Sequence, residues 1–556
     1  MRSHRPAPRT TLANAIVRAA VRFAYGRSYR ALLDATKDPR AVQADLLRRI
    51  VAANADTDFG REHGFTRVRT VADFRAAVPV QDYEALRPHV EHQERSGDRC
   101  LTADPPVYYH RTSGTLGKPK DIPVTAAGLR RIKDNQRLLT HTLALGTRAF
   151  EGKVFGITGQ AVEGRMAGGT AYGSASGLLY KEHSRLVRRR YVLPAETADI
   201  DDYEGRYFVM AVYGLAEPAV SCVGTANPST LVRLQTLIQE RTEALLRAVH
   251  DGALPGSPSS GSMSPAPNPA RAAVLARVLA AKGILTYADI WPNLRAVVTW
   301  TGGSCKIPLA RLAGSLPPGV AVVELGYLAS EFQGTVNLDA GKNLCVPTLC
   351  DTLFEFVERD SRETGRDDFL SLHELVEGRE YYVFVTTLDG LYRYDMNDIV
   401  RVTGRLNGTP CLEFVQKGKG VTSITGEKLY EGQVVDAVMA TAARLGVAAE
   451  FFVMLADEEA SGYTLFIESG PSTPAAGVEL ADALDRGLRE TNVEYEAKRD
   501  SGRLAPVRVQ WLAPGAGAAY RAERVAQGQR DAQFKYLHLQ YARECAFDFA
   551  ARQVPD

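Results

Sequence analysis

Apolar residues along this chain change their spacing several times, and each change marks an element. After Asp38-Pro39, the residues Val42, Leu46, Leu47, Ile50 and Val51 share one helical face. Pro39 stands in the first turn, where its missing N–H is no loss. The run Leu12 to Tyr25 is broken by Arg18 and Arg22, which excludes a transmembrane span and argues against a secretory core. It reads as an amphipathic helix. Helical spacing dominates to about residue 98. Extended patterns then appear at Val107–Tyr109, Ile122–Val124 and Val154–Ile157, with long helices expected over Ala126–Leu145 and Ser229–Val249. Strand patterns return at Ala296–Trp300, Val320–Val323, Thr352–Phe356, Tyr381–Thr387, Ile399–Val402 and Leu412–Val415.

Gly252–Pro269 (GALPGSPSSGSMSPAPNP) reads as an exposed loop rather than a linker, because strand patterns of the same kind resume beyond it. The character changes at Gln416-Lys417-Gly418-Lys419-Gly420. Past it come a helix over Glu431–Leu445, strands at Ala449–Leu455 and Tyr463–Glu468, a helix over Val478–Glu490 and a strand at Val507–Trp511. The expected fold is α/β: a large mixed N-terminal domain (1–416) with several sheets flanked by helices, a hinge (417–420), and a smaller α+β domain (421–556).

Composition narrows the function classes. The chain has 556 residues, 45% hydrophobic and 24% charged, with a net charge of +2, so nothing favours a nucleic acid or an anionic membrane over a small molecule. The seven cysteines are widely spaced; Cys345 and Cys350 are the nearest pair and lack a second pair to complete a metal site. Buried or free thiols in a cytoplasmic protein follow. His89 and His92 have no ligand cluster around them.

Four segments carry chemistry. Thr112-Ser113-Gly114-Thr115-Leu116-Gly117-Lys118-Pro119-Lys120 places hydroxyls and glycines in a loop able to wrap phosphate oxygens in N–H groups. It does not match the kinase-type GxxxxGK[ST] loop, since proline follows Lys118. Tyr327 and Glu331 offer a flat face for a base and an oxygen for a cation such as Mg²⁺, which takes one or two carboxylates plus phosphates. Asp398, ahead of the apolar Ile399-Val400, can accept from ribose hydroxyls. Lys417, Lys428 and Lys535 can meet phosphate charge. Taken singly, these segments also read as a hairpin turn, a core tyrosine with a solvated glutamate, an Asp/Asn turn and surface lysines.

Their order changes that. The chain resembles the adenylate-forming acyl acid amido synthetases of the Gretchen Hagen three family, first named for auxin-responsive plant proteins, and most of all its bacterial branch. The resemblance runs from Asn54–Phe65 (NADTDFGREHGF) through Pro79–Tyr83 to Gln533-Phe534-Lys535. Thr112-Ser113-Gly114-Thr115 is similar to the family's Ser-Ser-Gly-Thr phosphate loop, with Gly117 and Lys120 at its basic end. Tyr327-Leu328-Ala329-Ser330-Glu331 resembles Tyr-Ala-Ser-Ser-Glu, which implies adenine stacking by Tyr327 and a metal and phosphate role for Glu331, with Ser330 beside them. Tyr392-Arg393-Tyr394-Asp395-Met396-Asn397-Asp398 resembles Tyr-Arg-Tyr-Arg-Val-Gly-Asp, implying that Asp398 holds the ribose. Ser423–Lys428 resembles the post-hinge segment whose lysine reaches phosphate, and Lys535 the C-terminal-domain lysine; Lys417 joins the nucleotide-binding set.

Three positions depart from the family pattern. Thr112 keeps the hydroxyl of the serine it replaces. Leu116 lacks the hydroxyl that plant members carry there. Asn397 stands in place of glycine, and asparagine tolerates left-handed backbone angles.

The resemblance implies an enzyme that uses ATP and Mg²⁺ to adenylate a carboxylic acid and passes the acyl group to an amine, releasing AMP and pyrophosphate. It also implies a C-terminal domain that swings between half-reactions. An acyl-CoA ligase and a catalytically idle adenylate-binding protein are the competing readings. Small-molecule acid and amine partners are expected, with no nucleic acid or membrane; the oligomeric state stays open, a monomer being compatible.

Overall fold

The computed structural model describes residues 12–112, 120–254, 265–418, 420–469, 477–526 and 536–554. The chain forms two compact units: one takes in the chain up to Arg111, Asp121–Gly302 and Leu309–Val415, the other Thr112–Lys120, Gly303–Pro308 and the chain from Gln416 onward. The architecture is the expected mixed α/β one, a large N-terminal part with several sheets and a smaller α+β C-terminal part.

In the first unit, four parallel strands stand in the order Lys153–Gly156, Val220–Gly224, Ala296–Thr299, Ala321–Glu324. Both faces of this sheet need covering. Buried Phe155, Val212, Leu215, Val223, Leu245 and Val297 fill one side together with Trp291, whose indole N–H donates to the Gly214 carbonyl at 2.8 Å. Gly214 lies so close to Phe155 and Trp291 that a Cβ there would sit 3.1 Å from each.

A second sheet is antiparallel, ordered Leu370–Ser371, Thr352–Glu358, Glu380–Thr387, Tyr394–Leu406, Thr409–Lys417. Helix Pro39–Ala53, capped by the Asp38 carboxylate accepting Ala41 N–H at 3.0 Å, docks on it. Its buried Gln43 donates to the Leu349 and Thr352 carbonyls at 2.7 and 2.8 Å and accepts from Phe354 N–H at 2.8 Å, so the polar group costs little on burial.

The helix expected over Ser229–Val249 is two helices, Ser229–Glu240 and Thr242–Asp251, broken at Arg241 (φ −119°, ψ 23°). The Thr242 hydroxyl donates to the Ile238 carbonyl at 2.5 Å at the start of the second helix. The Gly252–Pro269 stretch lies mostly outside the described residues; helix Pro269–Lys282 starts at its end, with Asn268 accepting Arg271 N–H at 3.1 Å.

Asp389 ties the antiparallel sheet's connecting turn to helix Ala126–Gly146. It accepts from the Thr125 N–H and hydroxyl, both at 2.8 Å, and lies where a Cβ on Gly128 would be, 2.1 Å from its Oδ1. Burial, the largest cause, pushes its carboxyl up to about 6, against the pull of the Thr125 bonds. The folded state then holds the proton more tightly than the unfolded chain, so stability falls as pH rises from about 4 to about 6. Asp389→Asn removes that slope. Urea unfolding across this window is expected to show the variant gaining on the native protein by at most about 3 kcal/mol; parallel profiles would contradict the assignment.

In the second unit a four-stranded sheet runs Arg508–Leu512, Gly462–Ser469, Ala449–Asp457, Leu539–Tyr541, antiparallel in the middle and parallel at both edges. Buried Val434, Val438, Leu480, Leu484 and Leu488 from helices Glu431–Leu445 and Gly477–Thr491 cover one face. Phe451, Tyr520, Phe547 and Phe549 cover the other. All seven cysteines are free thiols. Among the described residues no helix is long and apolar enough to cross a membrane.

Candidate functional site

Ligands of open α/β sheets bind outside the carboxyl ends of the parallel strands. Here the chain leaves Ala296–Thr299 and Ala321–Glu324 in two turns, Thr301-Gly302 and Leu325-Gly326-Tyr327, and one side chain holds both. The Glu324 carboxylate accepts from Thr301 N–H at 2.6 Å, from the Thr301 hydroxyl at 2.5 Å and from Gly326 N–H at 2.8 Å. Gly326 has φ +106°, and a Cβ there would meet the Thr335 carbonyl oxygen at 2.7 Å, so only glycine serves.

This fixes Tyr327. Its N–H donates to the Thr335 hydroxyl at 2.8 Å, and its carbonyl accepts from Gly334 N–H at 2.7 Å. Its ring packs edge-on to Phe332 at 5.2 Å and stacks with Phe414 at 5.7 Å. Its hydroxyl donates to Asp398 Oδ2 at 2.5 Å. Burial, then the Asp398 charge, raise the Tyr327 phenol well above its ordinary value, so it remains a donor at neutral pH.

Asp398 reaches this place through a bulge. Strand Tyr394–Leu406 pairs Asp395 with Phe384 and Ile399 with Tyr382, so Met396, Asn397 and Asp398 together face one residue, Val383. Asn397 takes the left-handed angle that the bulge needs, φ +46°. Its N–H donates to Asp395 Oδ1 at 2.8 Å, and Asp395 Oδ2 accepts from Arg362 at 2.6 Å. Ahead of the bulge, Arg393 (φ +45°) donates through Nε to buried Glu355 at 3.0 Å and through Nη1 to the Val78 carbonyl at 2.8 Å. The arginine of the Tyr-Arg-Tyr run is therefore an anchor for the strand that presents Asp398.

Glu331 is buried on a tight turn, where Leu328 bridges Gln333 and Ala329 N–H donates to the Phe332 carbonyl at 3.0 Å. Ser330, half-buried, precedes it. The Glu331 charge is felt by Tyr327 and by His110, a buried residue of strand Pro106–Thr112. Burial is the main cause that lowers the His110 imidazole below its ordinary value, so the ring is neutral at pH 7.

Thus Tyr327, Ser330, Glu331 and Asp398 stand together in the first unit. The sequence reading missed Glu324 and His110. A glycine-containing turn directly after an apolar strand, Thr301-Gly302, was the available signal for the Glu324 clamp.

The other expected residues are placed separately. Thr112 ends its strand, and Ser113, Gly114, Thr115, Gly117 and Lys535 lie outside the described residues. Arg111 and Asp121, at the ends of that loop, form a two-pronged ion pair at 2.7 and 3.1 Å. Lys120 opens strand Lys120–Thr125 and is buried. In the second unit Lys417 is the last residue of strand Thr409–Lys417. Lys428 lies just before Leu429–Tyr430, which pairs with Val421–Thr422. Among the described residues no group of three or more His, Cys, Asp or Glu side chains could cage a metal ion.

Sequence models of the GH3 family match in order: the N-terminal domain over residues 28–317, the central domain over 345–417 and the C-terminal domain over 432–544. A probable indole-3-acetic acid-amido synthetase of Oryza sativa subsp. japonica is 27% identical, over 90% of this chain and 91% of its own. A jasmonoyl-L-amino acid synthetase of Nicotiana attenuata is 26% identical over 74% of this chain and 75% of its own. Among solved structures, the AtGH3.15 acyl acid amido synthetase in complex with 2,4-DB superposes with a TM-score of 0.63 at 21% identity, covering 95% of this chain and 96% of that one. A 2-hydroxyisobutyryl-CoA ligase with 2-HIB-AMP and CoA superposes with a TM-score of 0.52 at 14% identity, covering 91% and 90%.

Proposed function

Since this chain belongs to the GH3 family, we propose that it is an ATP-dependent acyl acid amido synthetase. The observation that carries the reading is the Tyr327–Asp398 hydrogen bond, which joins residues 71 apart in sequence at the carboxyl end of a parallel sheet. A flat ring beside a carboxylate suits a nucleoside: the base against the ring, the ribose hydroxyls donating to the acid.

The carboxylate oxygen of the acid attacks the α-phosphorus of ATP. The α–β P–O bond breaks, and pyrophosphate leaves. An amine nitrogen then attacks the acyl carbon, forming the amide bond as AMP departs. Both steps need charge stabilisation more than covalent help. In this reading Thr112, Ser113, Gly114, Thr115, Gly117 and Lys120 hold phosphates, Tyr327 and Ser330 the base side, and Asp398 the ribose. Lys417, Lys428 and Lys535 meet negative charge on the phosphates.

Glu331 would hold Mg²⁺. A single buried carboxylate, with no cage of three or more such ligands among the described residues, fits an ion that brings most of its ligands as phosphate oxygens and water. Bound there, Mg²⁺ would offset phosphate charge. We place the hinge for domain rotation at residues 417–420, where Gly420 has φ +72°. We also propose an affinity with the family's bacterial branch, although the relatives compared above are plant proteins. A cytoplasmic location is part of the proposal.

Product identity tests this directly. The protein is incubated with ATP, Mg²⁺ and a panel of carboxylic acids, with either amino acids and simple amines or CoA, and products are read by mass spectrometry. An acyl amide with stoichiometric AMP is expected. A thioester in place of the amide would make the chain an acyl-CoA ligase, and no acyl product at all would favour an idle adenylate binder.

A further inference from the structure

The segment that carries Lys428 is built around a buried acid. Glu427 is 0% exposed, and all four of its hydrogen bonds come from neutral donors. Its Oε1 accepts from Ile424 N–H at 2.8 Å and from the Tyr463 hydroxyl at 2.7 Å. Its Oε2 accepts from the N–H and the hydroxyl of Thr425, both at 2.9 Å. The Thr422 hydroxyl meets the same tyrosine oxygen at 3.1 Å. Burial and the Glu427 charge raise the Tyr463 phenol well above its ordinary value, which keeps it a donor.

Lys428 itself is gripped through its main chain. Its N–H donates to Glu494 Oε2 at 3.1 Å, and its carbonyl accepts from Asn492 Nδ2 at 2.7 Å. Asn492 caps helix Val493–Asp500 by accepting Tyr495 N–H at 2.9 Å and donates also to Gln433 Oε1 at 2.9 Å. Ser423 N–H donates to the Tyr541 hydroxyl at 3.0 Å. The turn is therefore fixed at its first residue, at its middle and on both sides of the lysine backbone.

A carboxylate taken out of water with neutral hydrogen-bond donors only, the Lys498 ammonium reaching it through charge alone, is a costly way to shape a turn, and a network so fully satisfied is rigid. Such expense is spent at functional positions. We propose that Glu427 is a positioning residue, which acts by holding the Ile424–Glu427 turn so that Lys428 presents its ammonium in one place for nucleotide phosphate. The proposal rests on the phosphate-facing role of Lys428.

Glu427→Gln is the test. The amide keeps the shape but turns an NH2 toward a backbone N–H, of Ile424 or of Thr425, that can only donate. Rates of acyl-adenylate formation and of amine-dependent AMP release are measured for Glu427→Gln, Lys428→Ala and the double variant. The expected result is a loss of roughly tenfold in whichever half-reaction Lys428→Ala slows, with the KM for ATP and acid and the other half-reaction unchanged. The double variant should be no slower than Lys428→Ala alone.

Should Glu427→Gln not fold, Tyr463→Phe removes one donor and should give a smaller, equally non-additive loss. Multiplicative losses in the double variant, or equal slowing of both half-reactions, would overturn the positioning role while Lys428 stands. Wild-type rates in Lys428→Ala would overturn the role of Lys428 and this proposal with it. Amide formation by the native protein is read separately and is untouched by either outcome.

Discussion

Lys535→Ala slows acyl-adenylate formation on the order of 10²–10³-fold, the usual loss when one preorganised charge at a transition state is removed. As the carboxylate oxygen approaches the α-phosphorus, negative charge spreads over the phosphate oxygens and onto the departing pyrophosphate. A fixed ammonium meets that charge without having to reorganise, which water in the same place cannot do. The measurement is isotope exchange between pyrophosphate and ATP in the presence of a substrate acid. Lys535→Arg, which keeps the charge on a different geometry, should fall between the two. Near-normal exchange in the alanine variant would remove Lys535 from this step. Measuring both half-reactions in Lys535→Ala and Lys428→Ala assigns each lysine to its own.

Asp398→Ala raises the apparent KM for ATP by roughly 10–100-fold, the loss of hydrogen bonds to a charged group. Asp398 is 1% exposed and receives the Tyr327 hydroxyl at 2.5 Å, so its removal leaves the tyrosine without this partner and, in the proposed role, takes away the ribose acceptor. A deoxy nucleotide separates the two effects. ATP lacking the ribose hydroxyl that donates to Asp398 should be penalised in the native enzyme and not further penalised in the variant. An unchanged ATP titration would take Asp398 out of the ribose site, and an equal penalty in both proteins would show that the aspartate acts only through Tyr327.

How much of this could be read beforehand differs by element. Helix Glu431–Leu445 has the bounds that its apolar spacing gives, because Val434, Val438 and Ala442 form a clear buried face. Helix Val493–Asp500 has no such face: it buries little beyond Tyr495 among charged residues, and it is held by its Asn492 cap rather than by an apolar stripe. Strand Leu539–Tyr541 is three residues long and exists through parallel pairing with Ala449–Asp457, a partner far away in sequence. The break at Arg241 is a single residue at φ −119° and ψ 23°, which no periodicity reports.

The site divides in the same way. Tyr327 and Asp398 lie in ordered motifs and could be named, and the left-handed Asn397 follows from what asparagine tolerates. Glu324 and Glu427 could not. Each acts by collecting N–H and hydroxyl donors, Glu324 from a turn 23 residues upstream and Glu427 from its own turn and from Tyr463, 36 residues on. A glutamate that accepts from backbone reads, in sequence, like any solvated acid. The order of motifs therefore names the residues proposed to touch the nucleotide more readily than the residues that hold them in place.

The central claim is that this chain uses ATP to activate a carboxylate. Acid-dependent exchange of labelled pyrophosphate into ATP tests it most directly, with the native protein, Mg²⁺ and a broad panel of carboxylic acids. The account predicts exchange that requires both an acid and the protein, and that falls sharply in Lys535→Ala. ATP turnover that ignores the acid, or no exchange with any acid on the panel, would contradict it.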